Sequence, residues 1–199
     1  MAERLVIKIG GSLLAEPGAM GRVAEWLAAT TRPDQTRLLL AGGGAAVDGL
    51  RRIDAANPLS AEATHWGAIA LMDANAALLA DWIPSARLTE RIPVSDGDWA
   101  LRSGRWLREQ EPSADGERLR IGWRTTSDAI AARIAACWDA RLIFLKHTLR
   151  EAYASLDEAA ADGVVDPETP RLAAGLRSVT LLGAVSSGLL SPTPPRLRG

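Results

Sequence analysis

Short apolar runs recur along this chain and alternate with segments whose apolar residues return every three or four positions. The short runs have the length and composition of buried strands, and they cover residues 6–9, 37–41, 142–145 and 179–182. The longer segments have the period of a helix with one apolar face, and they cover residues 20–30, 44–56, 61–81, 127–138, 155–163 and 169–176. Strands that alternate with helices predict an α/β fold.

The first strand, helix and strand predict how the sheet is built. Met20, Val23 and Leu27 share one face of the helix, which therefore covers one side of the sheet. A unit of this kind predicts a right-handed crossover between parallel strands. We predict a three-layer α/β/α sandwich around a mainly parallel sheet, with a single domain over residues 1–190 and a flexible proline-rich tail at 191–199.

The region between residues 84 and 122 has the least regular pattern. Short strand-like pieces at 91–95 and 105–107 are separated by turns rich in Ser, Asp and Gly, which predicts hairpins or a lid over a site. The region is also rich in arginine. Most of these side chains are expected to face solvent, and one or two can clamp a phosphorylated substrate.

The overall charge is balanced, with 23 basic and 24 acidic residues. This balance gives no electrostatic reason to expect binding to nucleic acid or to an anionic membrane. The single cysteine excludes an intrachain disulfide and fits a reducing cytoplasm. We expect no signal peptide, and the longest apolar stretch, residues 179–190, is too short to span a bilayer. We therefore expect a cytoplasmic protein.

The first strand runs into a glycine turn with the features of an anion-binding site. Lys8 brings a positive charge to the end of the strand, and Ser12 follows the turn. Gly10 and Gly11 let the backbone turn tightly and present its N–H groups to an anion. The order of these residues excludes a Walker A loop and the Gly-x-Gly-x-x-Gly pattern of a dinucleotide-binding domain.

A second glycine turn, formed by Gly42, Gly43 and Gly44, follows the strand at 37–41. The carboxyl ends of parallel strands meet at one edge of a sheet, which is where such sheets bind ligands. We therefore expect the two turns to share one anion site.

A third polar cluster is predicted at the same edge. Thr126 or Ser127 can cap the helix that follows them, and Asp128 then lies at the positive end of that helix. Lys146 and His147 follow the strand at 142–145, so they can face a phosphate or an adenine.

His65 lies on the apolar stripe of the helix at 61–81. A histidine in such a place is more often buried and bonded to a backbone carbonyl than involved in function. The functional alternative is a contact with the substrate.

Together these segments resemble the amino acid kinase family, which includes aspartate, acetylglutamate, carbamate and uridylate kinases. The resemblance extends over residues 4–183 and implies a carbamate kinase-like fold. Within the family the chain is similar to a small archaeal-type branch, the aminomethylfuran-methyl phosphate kinases of methanofuran synthesis. The residues that suggest this branch are Val47, Asp48, Arg51, Ile53, Asp54, Ser60, His65, Trp66, Ala68, Ile69, Met72, Asp73, Trp123, Thr126, Ser127 and Asp128.

The resemblance implies that the γ-phosphoryl group of ATP, bound with Mg²⁺, is transferred to a small-molecule acceptor. It makes Lys8 the group that neutralises the transferred phosphate and Asp128 the acid that orients the basic groups. Arg171 stands closest to the position where some family members carry a second catalytic lysine. The residues implied to bind the nucleotide are Gly10, Gly11, Ser12, Lys146 and His147. Those implied to bind the acceptor are Gly42, Gly43, Gly44, His65 and Ser127, and no side chain is implied to bind a metal.

The chain departs from the family pattern after the strand at 142–145. It reads Lys-His-Thr-Leu-Arg at residues 146–150, where the family has an Asp-Val-Asp-Gly-type turn that shapes the nucleotide pocket. This departure leaves open a protein that keeps the fold and binds a phosphorylated metabolite without turnover. If the branch is correct, the acceptor is itself a phosphate monoester and the product is a diphosphate. We also expect a homo-oligomer.

Overall fold

The computed structural model describes residues 3–149 and 153–183. Within them, six strands form one sheet in which every neighbouring pair is parallel, in the order β3-β4-β2-β1-β5-β6. The strands are β1 (Glu3–Ile9), β2 (Gln35–Ala41), β3 (Ala86–Thr89), β4 (Gly97–Leu101), β5 (Arg141–Lys146) and β6 (Val179–Gly183). The predicted parallel α/β fold is confirmed, and the tail predicted at 191–199 lies outside the described residues.

Helices cover both faces of the sheet, so the predicted three layers are confirmed. Alternate residues of β1 point to opposite faces, and Ile7 packs with the helix after β1, whereas Val6 packs with the helix before β5. No helix in the described part of the chain is long and apolar enough to cross a membrane. The helices are α1 (Ala19–Thr30), α2 (Gly44–Ala56), α3 (Ala61–Trp82), α4 (Ser103–Glu109), α5 (Ser127–Trp138), α6 (Leu156–Ala161) and α7 (Thr169–Ala173), with a short 3-10 helix at Gly11–Ala15.

The irregular region between α3 and α5 differs from the prediction. Residues 91–95 connect β3 to β4 and contain no strand, and Val94 is fully exposed. The strands that this region does form, β3 and β4, were not predicted, and because they are parallel neighbours no hairpin joins them. Residues 105–107 lie in α4, where Trp106 and Leu107 are both buried. Adjacent residues of a strand point to opposite faces, so burying two in succession on one side favours a helix here.

The chain reverses its direction across the sheet at β1. From β1 it passes to β2 and then to the β3 edge, and it later returns to place β5 and β6 on the other side of β1. Open parallel sheets bind ligands beside the carboxyl ends of the strands at such a reversal. The ends of β1 and β5 therefore mark the place where a functional site is expected.

Candidate active site

Two lysines and one aspartate meet at the ends of β1 and β5. Lys8 Nζ lies 2.9 Å from Asp128 Oδ1, and Lys146 Nζ donates a hydrogen bond of 2.7 Å to Asp128 Oδ2. The side chains of Lys8 and Asp128 are buried and that of Lys146 is 13% exposed. One carboxylate thus holds two ammonium groups in fixed positions.

The register of the sheet explains why the two lysines meet. Lys8 pairs with Phe144 across β1 and β5, and Lys146 lies two residues beyond Phe144. Because side chains repeat with a period of two along a strand, both lysines point to the same face. Helix α5 covers that face, and Asp128 is its second residue. The centre is therefore built on regular secondary structure.

The electrostatics of this centre leave one positive charge without a partner. Burial raises the pKa of Asp128, but the charges of Lys8 and Lys146 outweigh burial and hold this pKa below its usual value. Burial lowers the pKa of Lys146 to about 8, and the charge of Lys8 acts in the same direction. With both lysines protonated, the buried group carries a net charge of about +1, so an anion is the ligand that it favours.

The two glycine turns touch each other beside this centre. The N–H of Gly10 donates to Leu145 O and the N–H of Gly42 donates to Ile9 O, each at 2.8 Å. A Cβ atom placed on Gly11 would lie 2.2 Å from the backbone nitrogen of Gly44. The turns therefore form one continuous backbone surface that side chains would disrupt.

Comparison with known proteins identifies the family to which this arrangement belongs. The model of the amino acid kinase family matches residues 3–106, which is more than half of the 199-residue chain. The chain belongs to the amino acid kinase family. No curated protein matches the chain.

Solved structures of three kinases share the fold. The uridylate kinase from Archaeoglobus fulgidus has a TM-score of 0.62 at 20% identity, with 90% of each chain covered. The UMP kinase from Bacillus anthracis has a TM-score of 0.62 at 13% identity, covering 94% of this chain and 89% of that one. The aspartate kinase from Synechocystis has a TM-score of 0.65 at 15% identity, covering 97% of this chain and 41% of that one. At these identities the likeness extends to the fold alone.

The residues present fit a nucleotide polyphosphate of the kind that amino acid kinases use. The buried charge attracts an anion, and the glycine turns leave backbone where side chains would otherwise stand. The fit to a metal held by the protein is poor. The described residues contain no group of three or more His, Cys, Asp or Glu that could hold a metal ion, and Asp128 faces a lysine with each oxygen.

Arg171 does not join the lysine centre, which corrects the position expected from the family pattern. It forms ion pairs with Glu117 and with Glu168, the latter at 3.0 Å. It also lines a cavity beside Asp139, which follows the carboxyl end of α5, whereas Asp128 lies at the amino end. The second ammonium group of the centre comes instead from Lys146.

The remaining polar candidate residues occupy three different elements around the lysine centre. Ser127 is buried as the first residue of α5, but Thr126 rather than Ser127 caps this helix, since its Oγ accepts a 3.2 Å hydrogen bond from the N–H of Asp128. Ser12 is exposed in the 3-10 helix after the first glycine turn. His147 Nε2 lies 3.3 Å from Glu16 Oε2, so it joins β5 to the end of that 3-10 helix.

His65 shows the features of a buried structural histidine. Its ring meets Trp66 edge-on, with 5.1 Å between the ring centroids. Burial lowers the pKa of His65, while a hydrogen bond with the backbone of Gly122 acts in the opposite direction. These contacts fit the packing interpretation rather than a direct role with the substrate.

Two residues that the sequence analysis missed hold the site in place. Asn75 of α3 donates to the carbonyl oxygens of Gly42 and Gly43, at 2.8 and 3.0 Å. Asp166 accepts from Thr126 Oγ at 2.6 Å and from the N–H of Ala129 at 3.0 Å, so it fixes the start of α5. Asn75 lies among the buried apolar residues of α3, so nothing in the local sequence marks it as part of a site. The Asp-Pro pair before α7 could have suggested a capping aspartate.

Lysine usage is a further signal that the sequence analysis missed. Lys8 and Lys146 are the only lysines in a chain that carries 23 basic residues, so every other one is arginine. Lysine is a compact charge whose pKa shifts readily on burial, whereas arginine remains charged. Both lysines meet at Asp128, so the only two ammonium side chains of the sequence lie in one centre.

We predict that Gly11→Ala destabilises the protein and impairs the site. The new methyl group would force the two glycine turns apart, which is expected to cost about 1–3 kcal/mol of the free energy of unfolding. Gly21→Ala is the matched control, because a Cβ at this position in α1 meets nothing within 4 Å. It should stabilise the helix by about 0.5–1 kcal/mol. Denaturant unfolding of both variants checks the pair, and equal stabilities would contradict the assigned contact.

Proposed function

We propose that this protein is an ATP-dependent phosphotransferase that acts on a small molecule. The observation that carries the proposal is the meeting of Lys8 and Lys146 on buried Asp128, next to the joined glycine turns. Phosphoryl transfer depends chiefly on positioning and on neutralising the charge of the transferred group. A buried surplus of positive charge beside the joined backbone of two glycine turns meets both requirements.

Each part of the centre has a role in this scheme. Bound Mg²⁺-ATP supplies the phosphoryl group, and its own phosphate oxygens are the expected ligands of the metal. Lys8 and Lys146 would hold the nucleotide by its phosphate oxygens and neutralise their negative charge. Asp128 holds the two ammonium groups at fixed separation, and the N–H groups of the glycine turns orient the phosphates. No residue needs to act as a general base in this scheme.

We propose that the acceptor is a phosphate monoester and that the product is a diphosphate. The branch resemblance supports an acceptor of methanofuran-type cofactor synthesis. By their names, the uridylate and UMP kinases among the structural neighbours act on a nucleoside monophosphate, which is also a phosphate monoester. The amino acid kinase fold thus accommodates this class of acceptor.

A titration of ATP with and without Mg²⁺ tests the proposal before the acceptor is known. A phosphotransferase should bind ATP and release ADP when phosphate monoesters are supplied. Binding of phosphate monoesters without any binding of ATP would favour the alternative of a non-catalytic binder, which the departure at residues 146–150 motivates.

We predict that ATP affinity falls as the pH rises from 7 to 9. The pKa of Lys146 is about 8, so its ammonium group is largely lost over this range and its attraction for phosphate is lost with it. Lys146→Arg should remove the pH dependence, because arginine stays protonated throughout. Since the chain has two lysines, NMR of isotope-labelled lysine side chains can follow the titration of Lys146 directly. An ATP affinity that does not change with pH would contradict the role of this ammonium group.

A further inference from the structure

Three arginines converge on one buried carboxylate outside the lysine centre. Arg120 and Arg124 donate to Glu168 Oε1 at 3.2 and 3.1 Å, and Arg171 donates to Glu168 Oε2 at 3.0 Å. The side chain of Glu168 is 6% exposed, whereas those of Arg120 and Arg124 are 59% and 71% exposed. The carboxylate is therefore hidden beneath guanidinium groups that face solvent.

The charges of this cluster do not balance. Arg171 has a second partner in Glu117, but Arg120 and Arg124 share one oxygen of Glu168 and pair with no other carboxylate in the described part of the chain. Arg124 uses Nε and Nη2 for this contact, and among the described residues its Nη1 has no hydrogen-bond partner. A single arginine would suffice to tie the segment to Glu168. A second exposed guanidinium on the same oxygen instead favours binding of an anion.

Covalent and hydrogen-bonded connections tie the cluster to the lysine centre. Arg124 precedes the cap residue Thr126 by two positions, and Asp128 follows that residue by two. Glu168 lies two positions after Asp166, which bonds to Thr126 Oγ. The cluster is thus joined through Asp166 and Thr126 to the start of the helix that carries Asp128.

The segment that carries these arginines contacts the helices that follow the second glycine turn. Trp123 Nε1 donates to Asp54 Oδ2 of α2 at 2.8 Å, and the backbone of Gly122 bonds to His65 of α3. The family resemblance assigns the second turn to the acceptor. Asp54 lies near the carboxyl end of α2 and His65 near the start of α3. The segment therefore packs on the two helices that adjoin this turn, at their ends away from it, while Lys146 and His147 lie on the β5 side.

We propose that Arg120 and Arg124, positioned by Glu168, bind the phosphate group of the phosphoryl acceptor. This assignment rests on the proposed function. It gives the acceptor phosphate a receptor that is separate from the lysines, which remain available for the transferred group. The surplus charge and the free edge of the Arg124 guanidinium match a phosphate oxygen by charge-assisted hydrogen bonding.

Binding of inorganic phosphate, measured by ³¹P NMR with the nucleotide site saturated by a non-hydrolysable ATP analogue and Mg²⁺, tests this proposal. Arg124→Gln and Arg120→Gln should each raise the Kd for phosphate about tenfold, as expected for a lost hydrogen bond to a charged group. Arg124→Lys keeps the positive charge but loses the planar set of N–H donors of the guanidinium group, so it should raise the Kd for phosphate by less than Arg124→Gln does. Arg177→Gln is the matched control, because Arg177 is 73% exposed and pairs with Asp139 beyond the carboxyl end of α5. Its Kd should be that of the wild type.

The possible outcomes separate this proposal from the proposed function. Unchanged Kd values in folded arginine variants would overturn it, as would a wild-type protein that binds no phosphate. Phosphate that the ATP analogue displaces would show that the arginines serve the nucleotide, which also overturns the acceptor role. If Arg124→Gln does not fold, Arg120→Gln and Arg124→Lys decide the matter. A wild-type protein that binds no nucleotide would instead refute the proposed kinase, and the acceptor role with it.

Discussion

Lys8→Ala is expected to lower kcat by about 10²–10³-fold while leaving the protein folded. Removing one preorganised donor to a developing negative charge typically has an effect of this size. The fold should survive because Asp128 keeps Lys146 as its partner at 2.7 Å, so the variant buries a neutral pair. The measurement is steady-state ADP formation, with thermal unfolding recorded on the same samples.

Lys8→Met provides the control for this prediction. Methionine fills most of the space of the lysine stem, so a loss of activity shared by both variants points to the missing ammonium group rather than to a cavity. In both variants the pKa of Lys146 should rise, because the charge of Lys8 contributes to its lowering. Turnover close to that of the wild type in folded Lys8→Ala would refute the phosphate-binding role of Lys8.

Asp128→Asn should lower the free energy of unfolding by about 3–5 kcal/mol at pH 7, the range for a buried ion pair that loses one partner. The variant would bury two ammonium groups with no opposing charge. Because Thr126 rather than Asp128 supplies the cap of α5, the cost arises from the lysines and not from the end of the helix. Denaturant unfolding at pH 7 measures it.

The stability lost in Asp128→Asn should shrink as the pH rises to 9. In the wild type the charge of Asp128 raises the pKa of Lys146, so in the folded variant Lys146 gives up its proton at a lower pH than in the folded wild type, while the unfolded chain of either protein keeps it up to the ordinary lysine pKa of 10.5. The unfolded state therefore binds more protons, and the free energy of unfolding rises with pH. Asp139→Asn is the control, since Asp139 is exposed, has a positive φ that asparagine tolerates, and should change stability by less than about 0.5 kcal/mol. Equal unfolding midpoints for the two variants would disprove the buried charge cluster.

Local signals in the sequence predicted most of the fold. The strands and helices around the glycine turns were predicted because their apolar period is regular and their ends carry turn or cap residues. Thr126 is an example, since its Oγ accepts from the N–H of Asp128 at 3.2 Å, as expected of a cap of α5. The prediction of a strand at 105–107 was wrong. Trp106 and Leu107 are adjacent apolar residues, and in so short a piece such a pair resembles a strand as much as a helix.

The site was only partly predictable, because its supporting contacts join distant parts of the chain. Lys8 and Asp128 were chosen from motifs, and the structure brings them together. The contacts of Asn75 with the second glycine turn span more than 30 residues and leave no local pattern. Arg171 was placed by its spacing from the family motif, but spacing does not reveal that the ammonium group comes from β5 instead.

The lysines lie on strands of the sheet, whereas Arg120 and Arg124 lie on the connection before α5, and this difference affects which residues can be substituted without disturbing the fold. Lys8 and Lys146 are carried by adjacent central strands whose register fixes their separation. Arg120 and Arg124 are carried by a connection between two helices, where substitutions disturb no strand pairing. Under the roles proposed here, substitutions in this connection can change the range of acceptors while the two lysines that bind the transferred phosphate stay fixed by the sheet.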